Sequence, residues 1–295
     1  MLDVLCIGHA SFDQLFEVPH HPDADEKLSA SSLTLSGGGP AANASVMVAK
    51  LGGRAGFSGY LGQDLQGAIH LDELRAAGVD VRGVIRGEAP TPMSVILAKP
   101  DGARTVVNYK GHTPAVSPEL LEISCLTARV LLFDGHEPAL SEAFLDRSVP
   151  KVLDGGSVHA GTLRLLDAMD HLVVSERFAR QWLGRDDPQV ALDRLAEKAP
   201  VVVVTLGSRG LIWRCQGESG ALSAPVVSAV DSTGAGDAFH GAYAAGLAEG
   251  LVWPQLLRFA TAAGALCCET AGARPGLPER SRVEALIARG WRETP

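Results

Sequence analysis

Short runs of apolar residues recur along this chain, most of them closed by glycine. Between them lie longer stretches in which apolar residues return every three or four positions. LDVLCIG (2–8) is the first such run; it predicts a strand buried on both faces, as in a parallel sheet. ASSLTLSGGG (30–39) predicts an extended segment stopped by three glycines. Pro40 then suits the first turn of a helix over AANASVMVAKLGG, with Ala42, Val46, Ala49 and Leu51 giving it one face. GRAGFSGYLG (53–62) predicts a second strand and turn, and DLQGAIHLDELRAAGV (64–79) an amphipathic helix closed by Gly78. TPMSVILAKPDGARTVVNY (91–109) predicts a β-hairpin around Pro100, Asp101 and Gly102. Further on, VLLFDG (130–135), KVLDGG (151–156), HLVVSE (171–176) and VVVVTLG (201–207) predict strands separated by helices. GLIWRC (210–215) and ALSAPVVS (221–228) predict strands at one sheet edge, and from Gly234 onward the pattern is mostly helical.

Strand–helix alternation of this kind predicts an α/β fold: a doubly wound, mostly parallel sheet with helices on both faces. The extended pieces near 12–36 and 90–110 have another texture and predict a small β-sheet lid inserted into a single domain spanning 1–295. Ligands of such sheets bind at the carboxyl ends of the strands, near helix N-termini. Glycine turns gather at that end: Gly8, Gly37 to Gly39, Gly59, Gly155, Gly156, Gly207 and Gly234 to Gly236.

The length of 295 residues suits one large domain, and 46% hydrophobic content supplies its core. A net charge of -8 with scattered charges argues against nucleic acid or a membrane surface as partner. The five cysteines form no CxxC pair, which argues against a disulfide framework or zinc site and fits a reducing cytoplasm. The opening MLDVLCIGHASFD lacks the basic, then long apolar, pattern of a signal peptide. No run approaches the ~18 apolar residues of a membrane span.

The chemistry concentrates in VDSTGAGDAFHGAY (230–243). Gly234, Ala235 and Gly236 run into Asp237 at the start of a helix. The first helical turn offers unpaired N–H groups and a partial positive charge, and small residues let an anion approach them. A carboxylate beside an anion site suits phosphoryl transfer, with Asp237 taking the proton of an attacking hydroxyl. On this stretch alone, a turn followed by an N-cap aspartate accounts for the pattern equally well. A Walker A loop is excluded because no Lys-Ser/Thr pair follows the glycines, and no GxGxxG follows the first strand. His9, His112, His136 and His240 lie where such a site could use them, whereas His20 and His21 read as solvent-facing.

A second motif, GGPAANASVMVAKLGGRAGFSGYLG (38–62), joins the first. Together the two resemble the paired signatures of the ribokinase family, the PfkB carbohydrate kinases. Asp13 after the first strand, LGQD (61–64), VVTLGSRG (203–210) and AGARPGLP (271–278) extend the likeness over nearly the whole chain. The resemblance implies transfer of the γ-phosphoryl of ATP to a hydroxyl of a sugar, nucleoside or related small molecule. It makes Asp237 the base and Gly234, Ala235 and Gly236 the anion hole. Asp13, Gly38, Gly39 and Asn43 match positions that bind substrate hydroxyls, and Lys27, Asn108 and His136 would meet its far end. Thr205, Gly207 and Gly210 would line the nucleotide site, with Ala271, Gly272 and Ala273 flanking the adenine. Asp231 matches a position that in some members helps hold a monovalent cation, which adds K+ to ATP and Mg2+ as expected cofactors.

The family's Asn-x-x-Glu motif is replaced by Ser175-Glu176-Arg177-Phe178. Either Glu176 reaches magnesium through water, or nucleotide and solvent hold the ion alone. Within the family the chain is most similar to kinases of ketoses and ketose phosphates, those of 6-deoxy-6-sulfofructose included. His136, standing where an arginine would meet a sulfonate, weakens the case for that acceptor and leaves a neutral ketohexose, a sugar acid or a sugar phosphate open. A nucleoside kinase would want an aromatic cleft, and aromatic residues are 5%. A non-catalytic sugar sensor on the same fold is expected to lose the base or the anion hole, and both are present. The resemblance also implies a homodimer closed through the lids.

Overall fold

The computed structural model describes residues 1–100, 104–111, 119 and 121–291. In its first part β1 (Leu2–Ile7), β2 (Ser11–Glu17) and β3 (Ser32–Gly38) lead into α1 (Pro40–Lys50). Then come β4 (Ala55–Gly62), α2 (Leu65–Ala76), β5 (Asp80–Gly87), β6 (Met93–Ala98) and β7 (Arg104–Tyr109). The middle alternates β8 (Ala128–Phe133), α3 (Pro138–Glu142), β9 (Lys151–Gly155), α4 (Ala160–Leu165), β10 (His171–Ser175), α5 (Glu176–Leu183), α6 (Pro188–Leu195) and β11 (Val201–Thr205). After β12 (Leu211–Cys215) and β13 (Glu218–Leu222) the chain is helical: α7 (Ala235–Glu249), α8 (Trp253–Cys267), α9 (Ala273–Gly276) and α10 (Arg280–Arg289).

Nine strands form one sheet in the order β13-β12-β11-β10-β9-β8-β1-β4-β5. It is parallel from β5 to β11 and antiparallel at β12 and β13. Successive strand residues point to opposite faces, so the apolar runs feed two cores. Val4 and Cys6 pack with α1, α2, α7 and α8, whereas Leu5 and Ile7 pack with α3 to α6. Among the described residues no helix is long and apolar enough to cross a membrane.

The remaining strands form the separate lid sheet, in the order β3-β2-β6-β7. Its register places Ser36, Asp13, Ser94 and Asn108 in one row, on one face. The opposite face carries Leu33, Leu35, Val95, Val107 and Tyr109, all of them exposed. The hairpin strands β6 and β7 pair as expected, with Ala98 opposite Arg104; Asp101 and Gly102 lie outside the described residues.

Two elements depart from the sequence pattern. Strand β5, DVRGVIRG, alternates as an edge strand should but is broken by charges and by Gly83, so no apolar run announced it. The strand expected at 221–228 is instead β13. Gln216 and Gly217, both at positive φ, make a two-residue turn that pairs Cys215 with Glu218 and ends the ladder at Leu222.

Candidate active site

Helix α7 opens behind Gly234, which is held at φ +79°, and a Cβ there would lie 2.7 Å from Ala273 Cα. Gly234 is the N-cap and no side chain caps this helix, so the N-cap reading of Asp237 does not hold. Asp237 stands in the first turn instead, and its Oδ2 accepts a 2.7 Å hydrogen bond from Asn43 Nδ2. A Cβ built on Gly236 would meet nothing within 4 Å, so the space before this turn is open. The N–H of Ala235 turns to Ser232 O at 3.3 Å. Those of Gly236 and Asp237 have no acceptor within the helix, as its first turn dictates.

Each member of the Gly37–Gly39 triplet has its own steric reason. A Cβ on Gly37 would lie 2.3 Å from Arg274 Nη1, and one on Gly38 would lie 2.0 Å from Asp13 Oδ2. Gly39 takes φ +95° where the chain turns into α1. The backbone thus stands aside for two charged groups that flank Asn43. Asp13 accepts from Ser11 Oγ at 2.8 Å, and burial raises its pKa. Arg274 Nε donates to Asn43 Oδ1 at 3.2 Å, and Nη1 meets Glu73 Oε2 at 2.7 Å. Asn43, expected to meet the acceptor, is therefore engaged at both polar atoms, one on Asp237 and the other on Arg274.

Beneath α7 lies Asp154, at the carboxyl end of β9 and 6% exposed. Its Oδ2 is 3.3 Å from His240 Nδ1, and the two His240 nitrogens also meet Gly236 O and Val173 O. Protein encloses Asp237 on most sides, although part of its surface stays open to the cleft. That desolvation, followed by the negative charge of Asp154, pushes its pKa up to about 7, against the opposing pull of Asn43 and His240.

Asp231 is engaged by the chain at both oxygens. Oδ1 accepts from Thr233 N at 2.9 Å, from Thr233 Oγ1 at 2.6 Å and from lid residue Arg104 at 3.1 Å. Oδ2 accepts from Gly272 N at 2.8 Å. These bonds outweigh burial and hold its pKa low. A monovalent cation on Oδ1 would have to displace the Arg104 guanidinium, whereas among the described residues Oδ2 carries a single hydrogen bond. Ala271, Val230 and Asp231 line a cavity of about 570 Å³ whose other wall is the lid, from Leu15 to Arg104. Gly272 and Ala273 abut the turn at Gly234.

Thr205 ends β11 with Oγ1 on Val174 O at 3.4 Å, and Gly207 starts the following turn at φ +61°. Gly210 is taken up by packing, since a Cβ there would strike Leu222 O at 2.0 Å. Glu176 is paired with Arg209, and Ser175 caps α5 through Phe178 N at 3.0 Å. Among the described residues no cluster of three or more His, Cys, Asp or Glu side chains could hold a metal ion. Those residues thus offer no three-ligand cage for magnesium, and Glu176 is engaged by Arg209.

The wall beyond Gly39 is a histidine stack. His136 lies between His159, at 4.4 Å between ring centroids, and His9, at 5.1 Å. Burial, followed by the neighbouring His136, lowers the pKa of both His9 and His159. Lys110 meets His136 O at 2.9 Å and Glu137 at 3.1 Å. Asn108 is exposed on the row that carries Asp13, and Lys27 is exposed in the loop between β2 and β3, outside these networks. His112 lies outside the described residues. His20 is exposed, and His21 reaches Leu97 O.

Sequence reasoning missed Arg274, Glu73, His70, Asp154, Arg104 and His159. Asp154 left a signal, a lone carboxylate inside the apolar run KVLDGG; Arg274 left a weaker one, the only charge in AGARPG.

The model of the pfkB family carbohydrate kinases matches residues 1–280. The ATP-dependent ribose-1-phosphate kinase of Halopiger xanaduensis is 32% identical over 98% of this chain and 99% of its own. Fructokinase-1 of Zea mays is 28% identical over 85% of this chain and 88% of its own. The structure of Arabidopsis thaliana ribokinase complexed with ribose and ATP superposes with a TM-score of 0.84 at 29% identity, covering 96% of this chain and 98% of that one.

Proposed function

Because the chain belongs to the pfkB family of carbohydrate kinases, we propose that it transfers the γ-phosphoryl group of ATP to a hydroxyl of a neutral sugar of the ribose or fructose type. The observation that carries this reading is Asp237: one carboxylate oxygen held by Asn43, the side chain only partly covered by protein, in a helical turn with open N–H groups.

Asp237 Oδ1 accepts the proton of the acceptor hydroxyl as that oxygen bonds to the γ-phosphorus. The bond from the γ-phosphorus to the β,γ-bridging oxygen breaks, and ADP leaves. The N–H groups of Gly236 and Asp237 receive the negative charge spread over the transferring group. A pKa near 7 suits a base that must be ionised before the reaction and protonated after it. Asp13, Gly38 and Gly39 border the acceptor. The nucleotide lies along Thr205 and Gly207, with Ala271 to Ala273 flanking its adenine. Magnesium, when bound with the nucleotide, would neutralise the phosphate charge; no protein carboxylate is assigned to it.

The far wall favours an uncharged acceptor. His9 and His159 are held neutral, and Glu137 balances Lys110. A phosphate or sulfonate there would find no arginine fork in the histidine stack or the Lys110–Glu137 pair. The exposed apolar face of the lid supports a homodimer closed lid to lid.

ADP release from Mg-ATP should be measured over a panel holding ribose, fructose, tagatose, ribose 1-phosphate, fructose phosphates, 6-deoxy-6-sulfofructose, 2-keto-3-deoxygluconate and adenosine. The expected result is strong turnover with a neutral sugar. A preference for the phosphates or the sulfonate would overturn the acceptor assignment, and a preference for adenosine would make the protein a nucleoside kinase. ATP binding without turnover would point to an acceptor outside the panel. Failure to bind ATP would favour a sensor.

A further inference from the structure

The buried cation behind the proposed base has no part in the mechanism so far. The Arg274 side chain is 10% exposed, yet its guanidinium touches three polar partners: Asn43 Oδ1, Glu73 Oε2 and, through Nη2, His70 Nε2. The same Glu73 oxygen also accepts from Gly37 N at 2.7 Å. His70 is fully buried, and burial, followed by the charge of Arg274, lowers its pKa well below that of a free imidazole. A neutral His70 can accept from the guanidinium. Burying such a group is costly, and one carboxylate does not make it a source of stability.

The contact with Asn43 gives the arrangement a consequence. A primary amide can sit in either of two orientations. With Oδ1 on the guanidinium, the NH2 group must face Asp237. The flipped amide would set its oxygen against the carboxylate and its NH2 against the cation. We propose that Arg274 is a positioning residue for the base: by fixing the amide orientation of Asn43, it locks Asp237 Oδ2 and leaves Oδ1 as the only oxygen free to take the acceptor proton. The first glycine of the triplet belongs to the same device, because any side chain at Gly37 would displace the guanidinium.

This inference rests on Asp237 being the base. The charged and titratable groups around Asp237 are Asp13 on β2, Asp154 on β9, His240 on α7, Cys267 on α8 and Arg274 on α9. Glu73 and His70 on α2 stand behind Arg274. Asn43 and Arg274 are the two that a neutral substitution would uncouple.

The test is a double-mutant cycle with Arg274→Gln and Asn43→Ala, reading kcat and KM against pH. Arg274→Gln should lower kcat ~10-fold or more while leaving the KM for ATP within ~2-fold, and should move the acid limb of kcat upward. Once Asn43 is Ala, Arg274→Gln should cost less than ~2-fold further, because the effect passes through the amide. Arg274→Lys, which keeps the charge but not the fork, should fall between, and Gly37→Ala should follow Arg274→Gln. A 13C titration of the Asp237 carboxyl needs neither turnover nor a known acceptor; its midpoint should rise in Arg274→Gln and in Arg274→Lys. Independent, multiplying effects of the two substitutions would overturn the proposal, as would an unmoved Asp237 midpoint in a folded Arg274 variant. Near-normal turnover in Asp237→Asn would instead remove the base on which the proposal rests.

Discussion

At the scale of the residue, the cost of Asp237 can be measured as well as its use. Its folded-state pKa of about 7 lies above the unfolded value near 4. Between those values the folded chain binds the proton more tightly, so this residue's contribution to stability declines as pH rises from about 4 to 7. Asp237→Asn removes that penalty. Its melting temperature should exceed the wild type's by an amount that grows from pH 4 to pH 7 and then levels off. Melting curves at several pH values would show this, and a constant difference would deny the shift. The SGGGP and GAGD stretches announce themselves in the sequence as glycine runs ahead of helices, although the groups that crowd Gly37, Gly38 and Gly234 come from elsewhere in the chain. Arg274 does not, since its partner Asn43 lies 231 positions away and only the fold joins them.

Among the elements, two of the ties between the lid and the main domain have different jobs. Asp64 caps α2 through Gly67 N at 2.8 Å and also accepts from Thr91 N at 2.7 Å and Thr91 Oγ1 at 2.6 Å, where the chain passes from β5 into the lid. Asp64→Ala should cost about 1–2 kcal/mol in urea unfolding, and Asp64→Asn less. The second tie is Arg104 on Asp231 and Thr233. With that cation in place, turnover in potassium chloride and in tetramethylammonium chloride should agree within ~2-fold at equal ionic strength. Strong activation by potassium would show that the ion displaces Arg104. The sequence pattern revealed the strands buried on both faces and the hairpin of the lid. It hid β5 because an edge strand carries charges, and it misplaced β13 because the Gln216-Gly217 turn sets register without an apolar cue.

For the whole molecule, the lid leaves Leu33, Leu35, Val107 and Tyr109 exposed on its outer face. A patch of this kind is expected to be covered, and a second lid supplies a matching surface by two-fold symmetry. Light scattering should give twice the mass of the 30.8 kDa chain. Val107→Asp paired with Leu35→Asp should give the monomer and raise the KM for the acceptor. A monomeric wild type would leave the lid to close alone.

The central claim is that Asp237 takes the proton while α7 holds the phosphoryl group. The most direct measurement compares sugar phosphorylation by wild type and Asp237→Asn at saturating Mg-ATP and neutral sugar, with ATP affinity measured alongside. The account predicts a loss of ~10² to 10⁴ in kcat with ATP affinity nearly unchanged. Turnover within a few-fold of wild type would contradict it.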